Sequence, residues 1–224
     1  MKTTVHLLRH GEVHNPKGIL YGRSTGYHLS ERGNKMAERV AARIGDRDIT
    51  HIVSSPLERA QETAAPLAAR RELTVETDER LIESSNIFEG SRFRVRSSIL
   101  RKPQVWLKLW NPFLPSWGEP YKQIVERMWS AVEDARDAAA GHEAVMVSHQ
   151  LPIWIIRLKA EGKPFMHDPR RRHCSLCSLT TLIFEDDRLV EVSYSEPAGD
   201  LIPLADRDAP FSAGGADADH EPLS

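Results

Sequence analysis

Three times along the chain a short apolar run ends at a reactive or phosphate-binding residue and gives way to a segment of helical periodicity. Val5-His6-Leu7-Leu8 runs into Arg9-His10-Gly11, His51-Ile52-Val53 into Ser54-Ser55-Pro56, and Glu143-Ala144-Val145-Met146-Val147 into Ser148-His149-Gln150. The segments between carry one apolar face each. Met36, Val40 and Ile44 recur every four residues after the helix-opening Ser30; Leu57, Ala60, Ala64, Leu67 and Ala68 make a stripe behind Pro56, which suits a first helical turn. Ile124, Met128, Val132, Ala135 and Ala139 mark a long helix that Gly141 can stop, and Pro152 suits the first turn of a helix after His149-Gln150. A third strand is predicted near Leu73-Thr74-Val75, and strands at 178–185 and 188–194 join through Asp186-Asp187 as a hairpin closing one edge. Strands alternating with helices in this way dictate an α/β fold, a mainly parallel sheet covered on both faces with right-handed crossovers. Ligands of such sheets collect at the carboxyl ends of the strands, where all three reactive segments fall.

Composition narrows the partners. With 224 residues and 40% hydrophobic content, one large domain is the expectation. Thirty basic and 32 acidic residues leave a net charge of -2, so no bulk field draws the chain to nucleic acid or a membrane, and any anion affinity must be local. The apolar run near the start is too short for a signal peptide and none is long enough to span a bilayer, so a cytoplasmic protein is expected. From about Ala205 the chain is small and acidic with little to bury, and residues 205–224 read as a disordered acidic tail.

At the first strand end, glycine permits a sharp turn and close approach to a ligand, while Arg9 offers a permanently charged fork matched to phosphate oxygens. His10 is the nucleophile there: an imidazole uncharged near neutral pH can attack phosphorus if its far nitrogen is held by a hydrogen bond. Arg59 is the kind of helix arginine that pairs cheaply with Glu58 or Glu62, but its place one turn after a strand lets it join the helix-start N–H groups around a dianion. His149 could serve only as a helix cap; at a second strand end it would instead supply a cationic donor to phosphoryl oxygens. A phosphohistidine route also needs a proton for the leaving alkoxide and then a base for water. Glu83, otherwise a loop surface charge, stands just beyond Arg80-Leu81-Ile82 and is the candidate.

Two other groupings read as structural. His6, His10 and His14 have metal-ligand spacing only on a helix, which Gly11 and the strand-like run rule out. Cys174 and Cys177 form a lone C-x-x-C leading into a strand, without the second ligand pair zinc wants or the strand-to-helix turn of a redox motif.

The segments Leu8-Arg9-His10-Gly11-Glu12 with Asn15, Ser54-Ser55-Pro56-Leu57-Glu58-Arg59-Ala60-Gln61-Glu62-Thr63-Ala64, Arg80-Leu81-Ile82-Glu83 with Glu89-Gly90, and Val147-Ser148-His149 resemble, in order and spacing, the histidine phosphatase superfamily in its phosphoglycerate mutase-like branch. The resemblance covers residues 3 to about 195 and implies that branch's three-layer sandwich. It also implies His10 as the phosphorylated nucleophile, Arg9, Arg59 and His149 as the phosphate pocket, Glu83 as proton donor then base, and contacts from Asn15 and the backbone around Gly22. No metal or other cofactor is implied. There are departures: Gln150 replaces the usual glycine and would add a polar side chain at the pocket mouth, and Ser84-Ser85-Asn86-Ile87-Phe88 lengthens the stretch after Glu83. Nothing resembles the long insertion of the glycolytic mutases, which favours hydrolysis over transfer.

The domain is therefore expected to span 1–204, with a cap or lid around 91–120. There Arg92, Arg94, Arg96, Arg101 and Lys102 precede Trp106, Trp110, Phe113 and Trp117, as a solvated basic face with an aromatic core patch or as a lid over an anionic organic substrate. The expected activity is metal-independent hydrolysis of a phosphomonoester through a phosphohistidine. The alternatives are a mutase-like phosphotransferase and a catalytically silent phospho-ligand binder. The expected partner is a small phosphorylated metabolite, with a homodimer as an option.

Overall fold

The computed structural model describes residues 1–85, 118–168 and 172–203. In chain order these form β1 (Lys2–Arg9), α1 (Glu31–Ile44), β2 (Ile49–Ser54), α2 (Glu58–Arg71), β3 (Glu76–Thr77), α3 (Tyr121–Ala138), β4 (Glu143–Ser148), α4 (Gln150–Ala160), β5 (Leu179–Glu185) and β6 (Arg188–Ser195). Short 3-10 turns lie at Glu79–Leu81 and Gly199–Leu201. The expected lid falls outside the described residues except for 118–120, and the expected tail, 205–224, lies wholly outside them.

The strands make one six-stranded sheet in the order β3-β2-β4-β1-β5-β6. Pairing is parallel from β3 through β1, while β5 runs antiparallel to β1 and β6 to β5, so the sheet is mixed rather than uniformly parallel. The order matters more than the count. β4 sits between β2 and β1, with Arg9 opposite Ser148 and Ser54 opposite Val147, so the three reactive strand ends are immediate neighbours. The His10 N–H donates to the Ser148 carbonyl at 3.1 Å and the Ser55 N–H to Val147 at 2.9 Å, extending the ladder into the loops.

Alternation of side chains along each strand feeds two cores. Val5, Leu7, Val53, Met146 and Phe184 pack with Ile124 and Met128 of α3 and with Ile153 and Ile156 of α4. On the other face Leu8, Ile52, Val145 and Val147 pack against Met36, Val40 and Ile44 of α1 and Ala64 and Leu67 of α2. This is the three-layer α/β arrangement, and each large side chain so buried contributes about 1.5–3 kcal/mol of transfer free energy.

Ser30 caps α1 as expected, accepting from the Gly33 N–H. Two local expectations are corrected. Pro56 does not enter the first turn of α2, which starts at Glu58 with Leu57 at its N-cap. The third strand is Glu76–Thr77, three residues later than the apolar Leu73-Thr74-Val75 suggested. Glu72 takes a left-handed conformation (φ 56°) to end α2, and the Leu73 N–H still reaches back to the Ala68 carbonyl, so Leu73 and Val75 serve the helix-side core before pairing begins.

Candidate active site

His10 follows directly on β1 and is almost fully buried. Its Nδ1 lies 2.7 Å from the carbonyl oxygen of Gly11; a carbonyl can only accept, so Nδ1 carries the proton and the Nε2 lone pair is left as the nucleophile. Burial first, then the charges of Arg59 and Arg9, push the imidazole well below its ordinary range, which keeps that lone pair available at neutral pH. The Gly11 N–H donates to Thr63 Oγ1 at 3.0 Å and Thr63 donates to the Arg59 carbonyl at 2.6 Å, tying the nucleophile's turn to α2. Glu12 fixes the other side, accepting from Ser30 Oγ and from Arg32. A Cβ at Gly33 would fall 2.1 Å from the Glu12 carbonyl oxygen, so only glycine lets α1 approach this closely.

Arg9 and Arg59 are both buried here, far from the surface pairing that sequence allowed for Arg59. Arg9 donates to the Cys174 carbonyl at 2.7 Å. Arg59 donates to the carbonyl of Gly22 at 2.6 Å and stacks with its guanidinium carbon 4.7 Å from the centre of the Tyr21 ring. Gly22, at φ 43°, thus orients Arg59 through its carbonyl. Asn15 spends its amide on its own loop, with Nδ2 donating to the Ile19 carbonyl and Oδ1 accepting the Ile19 N–H. Both residues thereby hold groups between β1 and α2 in place. Gln150 opens α4 half-buried.

His149 lies with its ring centre 5.2 Å from that of His10. Its Nε2 is 2.8 Å from Ser55 Oγ, and its buried Nδ1 has no hydrogen-bond partner among the described residues. Burial, followed by Arg59 and His10, pushes this imidazole also well below its ordinary range, so in the protein alone it is neutral.

Glu83 is held by the backbone on both sides. Its carbonyl accepts Arg23 Nε at 2.6 Å, and its carboxyl oxygen Oε1 accepts the Ser84 N–H at 2.8 Å. Glu119, which accepts from both Arg23 and Arg127, braces the same loop. Burial pushes the carboxyl above its ordinary range against the opposing pull of Ser84, Arg59, Arg9 and Arg172. That is the direction a proton donor requires.

Sequence reasoning missed three pocket groups. The Tyr21 hydroxyl is buried with no hydrogen-bond partner among the described residues, and burial pushes it up to about 12, so it remains a donor throughout the neutral range. Ser55 supports His149 and Arg172 stands near Glu83. Tyr21, beside the turn glycine Gly22, and Ser55, in the strand-end run Ser54-Ser55-Pro56, carried a signal of place but not of role in the sequence. His6, by contrast, is a core residue between Thr181 Oγ1 at 2.8 Å and Glu143 Oε2 at 2.9 Å. The two cysteines are free and point into opposite cores, Cys174 with α3 and α4 and Cys177 with α1 and α2, so no disulfide joins them without dismantling both. They act through backbone: besides the Cys174 carbonyl on Arg9, the Cys177 N–H meets the His10 carbonyl at 3.4 Å.

A histidine with a fixed tautomer, two buried arginines, a second histidine and a carboxyl of raised pKa gather around the carboxyl ends of β1, β2 and β4. The family model "Histidine phosphatase superfamily (branch 1)" matches residues 5–197. The chain belongs to this superfamily. It is 59% identical over 197 residues to the uncharacterized protein Rv0525 of Mycobacterium tuberculosis, covering 88% of this chain and 98% of that one. It is 31% identical over 208 residues to a probable phosphoglycerate mutase, GpmB, of Yersinia pestis, covering 89% and 94%. Among solved structures, a mycobacterial glucosyl-3-phosphoglycerate phosphatase superposes with a TM-score of 0.67 at 25% identity, covering 82% of this chain and 91% of that one. Among the described residues of this superfamily member, no helix is long and apolar enough to cross a membrane.

Proposed function

We propose that the chain is a phosphatase hydrolysing a small-molecule phosphomonoester through a phosphohistidine on His10, with no metal required. The observation that carries this reading is the 2.7 Å contact of His10 Nδ1 with the Gly11 carbonyl, which aims a neutral Nε2 into a pocket holding Arg9, Arg59 and His149. In the first step Nε2 attacks phosphorus, the bond to the ester oxygen breaks, and Glu83 gives that oxygen its proton. Arg9 and Arg59 balance the phosphoryl charge, and Tyr21 and the Nδ1–H of His149 supply further donors. In the second step Glu83, now a carboxylate, takes a proton from water, whose oxygen attacks the phosphorus and frees His10.

The steps need only side chains of this chain, and the two buried free thiols suit the reducing cytoplasm. The experiment is incubation with a labelled phosphomonoester in the presence of chelator. It should give an acid-labile, base-stable adduct and phosphate release, both lost in His10→Ala. Binding without adduct or release in the wild type would replace this reading by a phospho-ligand-binding role. The name of the 31% identical relative favours a second acceptor as the variant reading. Phosphoryl transfer to an added hydroxyl compound, in place of release to water, would establish it.

A further inference from the structure

We infer that Arg172 is the specificity residue for a second anionic group on the substrate, a carboxylate or another phosphate, carried by the organic moiety beyond the phosphoryl group. The inference rests on the proposed phosphate site and extends it. Arg172 is half-buried on the segment leading to β5, and its carbonyl accepts the Cys174 N–H at 3.1 Å. Two residues further on, the Cys174 carbonyl holds Arg9. Arg172 therefore stands on the same backbone turn that orients a phosphate-pocket arginine, and its charge is felt by Glu83.

The way the guanidinium is held separates it from Arg23, Arg127 and Arg32. Arg23 and Arg127 share the carboxylate of Glu119, and Arg32 is paired with Glu12. Arg172 instead donates Nε to His167 Nε2 at 2.8 Å. His167 donates its own Nδ1–H to the Phe165 carbonyl at 2.6 Å, so it is the neutral tautomer with Nε2 as acceptor. Its ring is wedged against Tyr121 and Trp154, each 5.8 Å away between centres. A rigid neutral acceptor thus fixes the orientation of the guanidinium and leaves its charge uncompensated by any hydrogen-bonded carboxylate among the described residues. The two terminal nitrogens make no hydrogen bond to a described residue. That leaves the end of the fork for a planar or tetrahedral anion, the geometry arginine binds bidentately.

The test uses substrate pairs differing by one anion: glycerol 3-phosphate against 3-phosphoglycerate for the carboxylate, and propanediol monophosphate against the bisphosphate for the second phosphate. The wild type should favour one anionic member in kcat/KM, and Arg172→Gln should cut that preference about tenfold or more, chiefly through KM. Arg172→Lys, which keeps the charge without the fork, should retain part of it. The pair showing the larger loss identifies the anion. A wild type without preference in either pair, or an Arg172→Gln variant that loses both members of a pair equally, would overturn the inference. The same pairs titrated calorimetrically into His10→Ala, with and without Arg172→Gln, read the preference without turnover. Absence of phosphate release from every substrate would then count against the proposed function alone, while the ratio of dissociation constants still decides the role of Arg172.

Discussion

Ser55→Ala isolates how the neutral second histidine is kept in the useful tautomer. Ser55 and His149 are both fully buried, and Ser55 Oγ lies 2.8 Å from His149 Nε2. The Leu57 N–H reaches the same hydroxyl oxygen at 3.4 Å, and among the described residues the buried hydroxyl proton has no acceptor other than Nε2, so it is directed there. With one proton on a neutral ring and Nε2 accepting, the ring N–H is Nδ1, the atom that has no other partner. Removing the hydroxyl frees the ring to carry its proton on Nε2 and present a lone pair to the phosphoryl oxygens. The loss is one hydrogen bond to a charged group, about 1.5–3 kcal/mol, or roughly 10- to 150-fold in kcat/KM. The assay is steady-state hydrolysis of p-nitrophenyl phosphate across pH, with the melting temperature as a control for folding. Low pH should restore part of the lost rate, because a doubly protonated ring donates from Nδ1 whichever tautomer the neutral form prefers. A Ser55→Ala variant within twofold of wild type at every pH, or one depressed equally at every pH, would refute the tautomer argument.

Glu83→Gln should reduce turnover of alkyl phosphates about 10²- to 10⁴-fold, and turnover of p-nitrophenyl phosphate, whose leaving group needs no proton, far less. In the wild type the rate with alkyl esters should fall as pH rises through the raised pKa of Glu83. The stability effect has a definite sign: the folded state holds this proton more tightly than the unfolded chain, so stability declines from about pH 4.3 upward to the folded pKa. Glu83→Gln should therefore melt above wild type at pH 7 and lose that advantage below about pH 4.3, as differential scanning calorimetry would read. Gly33→Ala should cost about 1–3 kcal/mol in urea unfolding and lower kcat, because the new methyl must displace the Glu12 carbonyl next to the nucleophile's turn. Cys174 and Cys177 should resist iodoacetamide at pH 8 in the native protein and react once it is denatured, since burial raises both thiols, Cys177 to about 12; mass spectrometry reads the adducts.

Much of the site was legible because its chemistry sits at element boundaries, which sequence marks well. Arg9-His10-Gly11 announces a strand end by its glycine, and Arg59 falls one turn into a helix whose apolar stripe is plain. Glu83 was harder to read because the loop around it owes its position to distant partners, Arg23, Glu119 and Ser148, that no local pattern connects. Arg172 gave no signal at all, since an arginine in a basic stretch is ordinary until its neighbours are known.

Periodicity by itself determined the layers, because a two-residue repeat and a repeat near four each bury only one face. It also determined that His10, Ser55 and His149 stand where strands give way to loops or helices. Only the tertiary structure decided that those ends are adjacent, by inserting β4 between β2 and β1. Burial then did what no residue type dictates: it lowered both imidazoles and raised the Glu83 carboxyl. Those shifts come from desolvation and from charges brought together from distant parts of the chain, and sequence order carries neither.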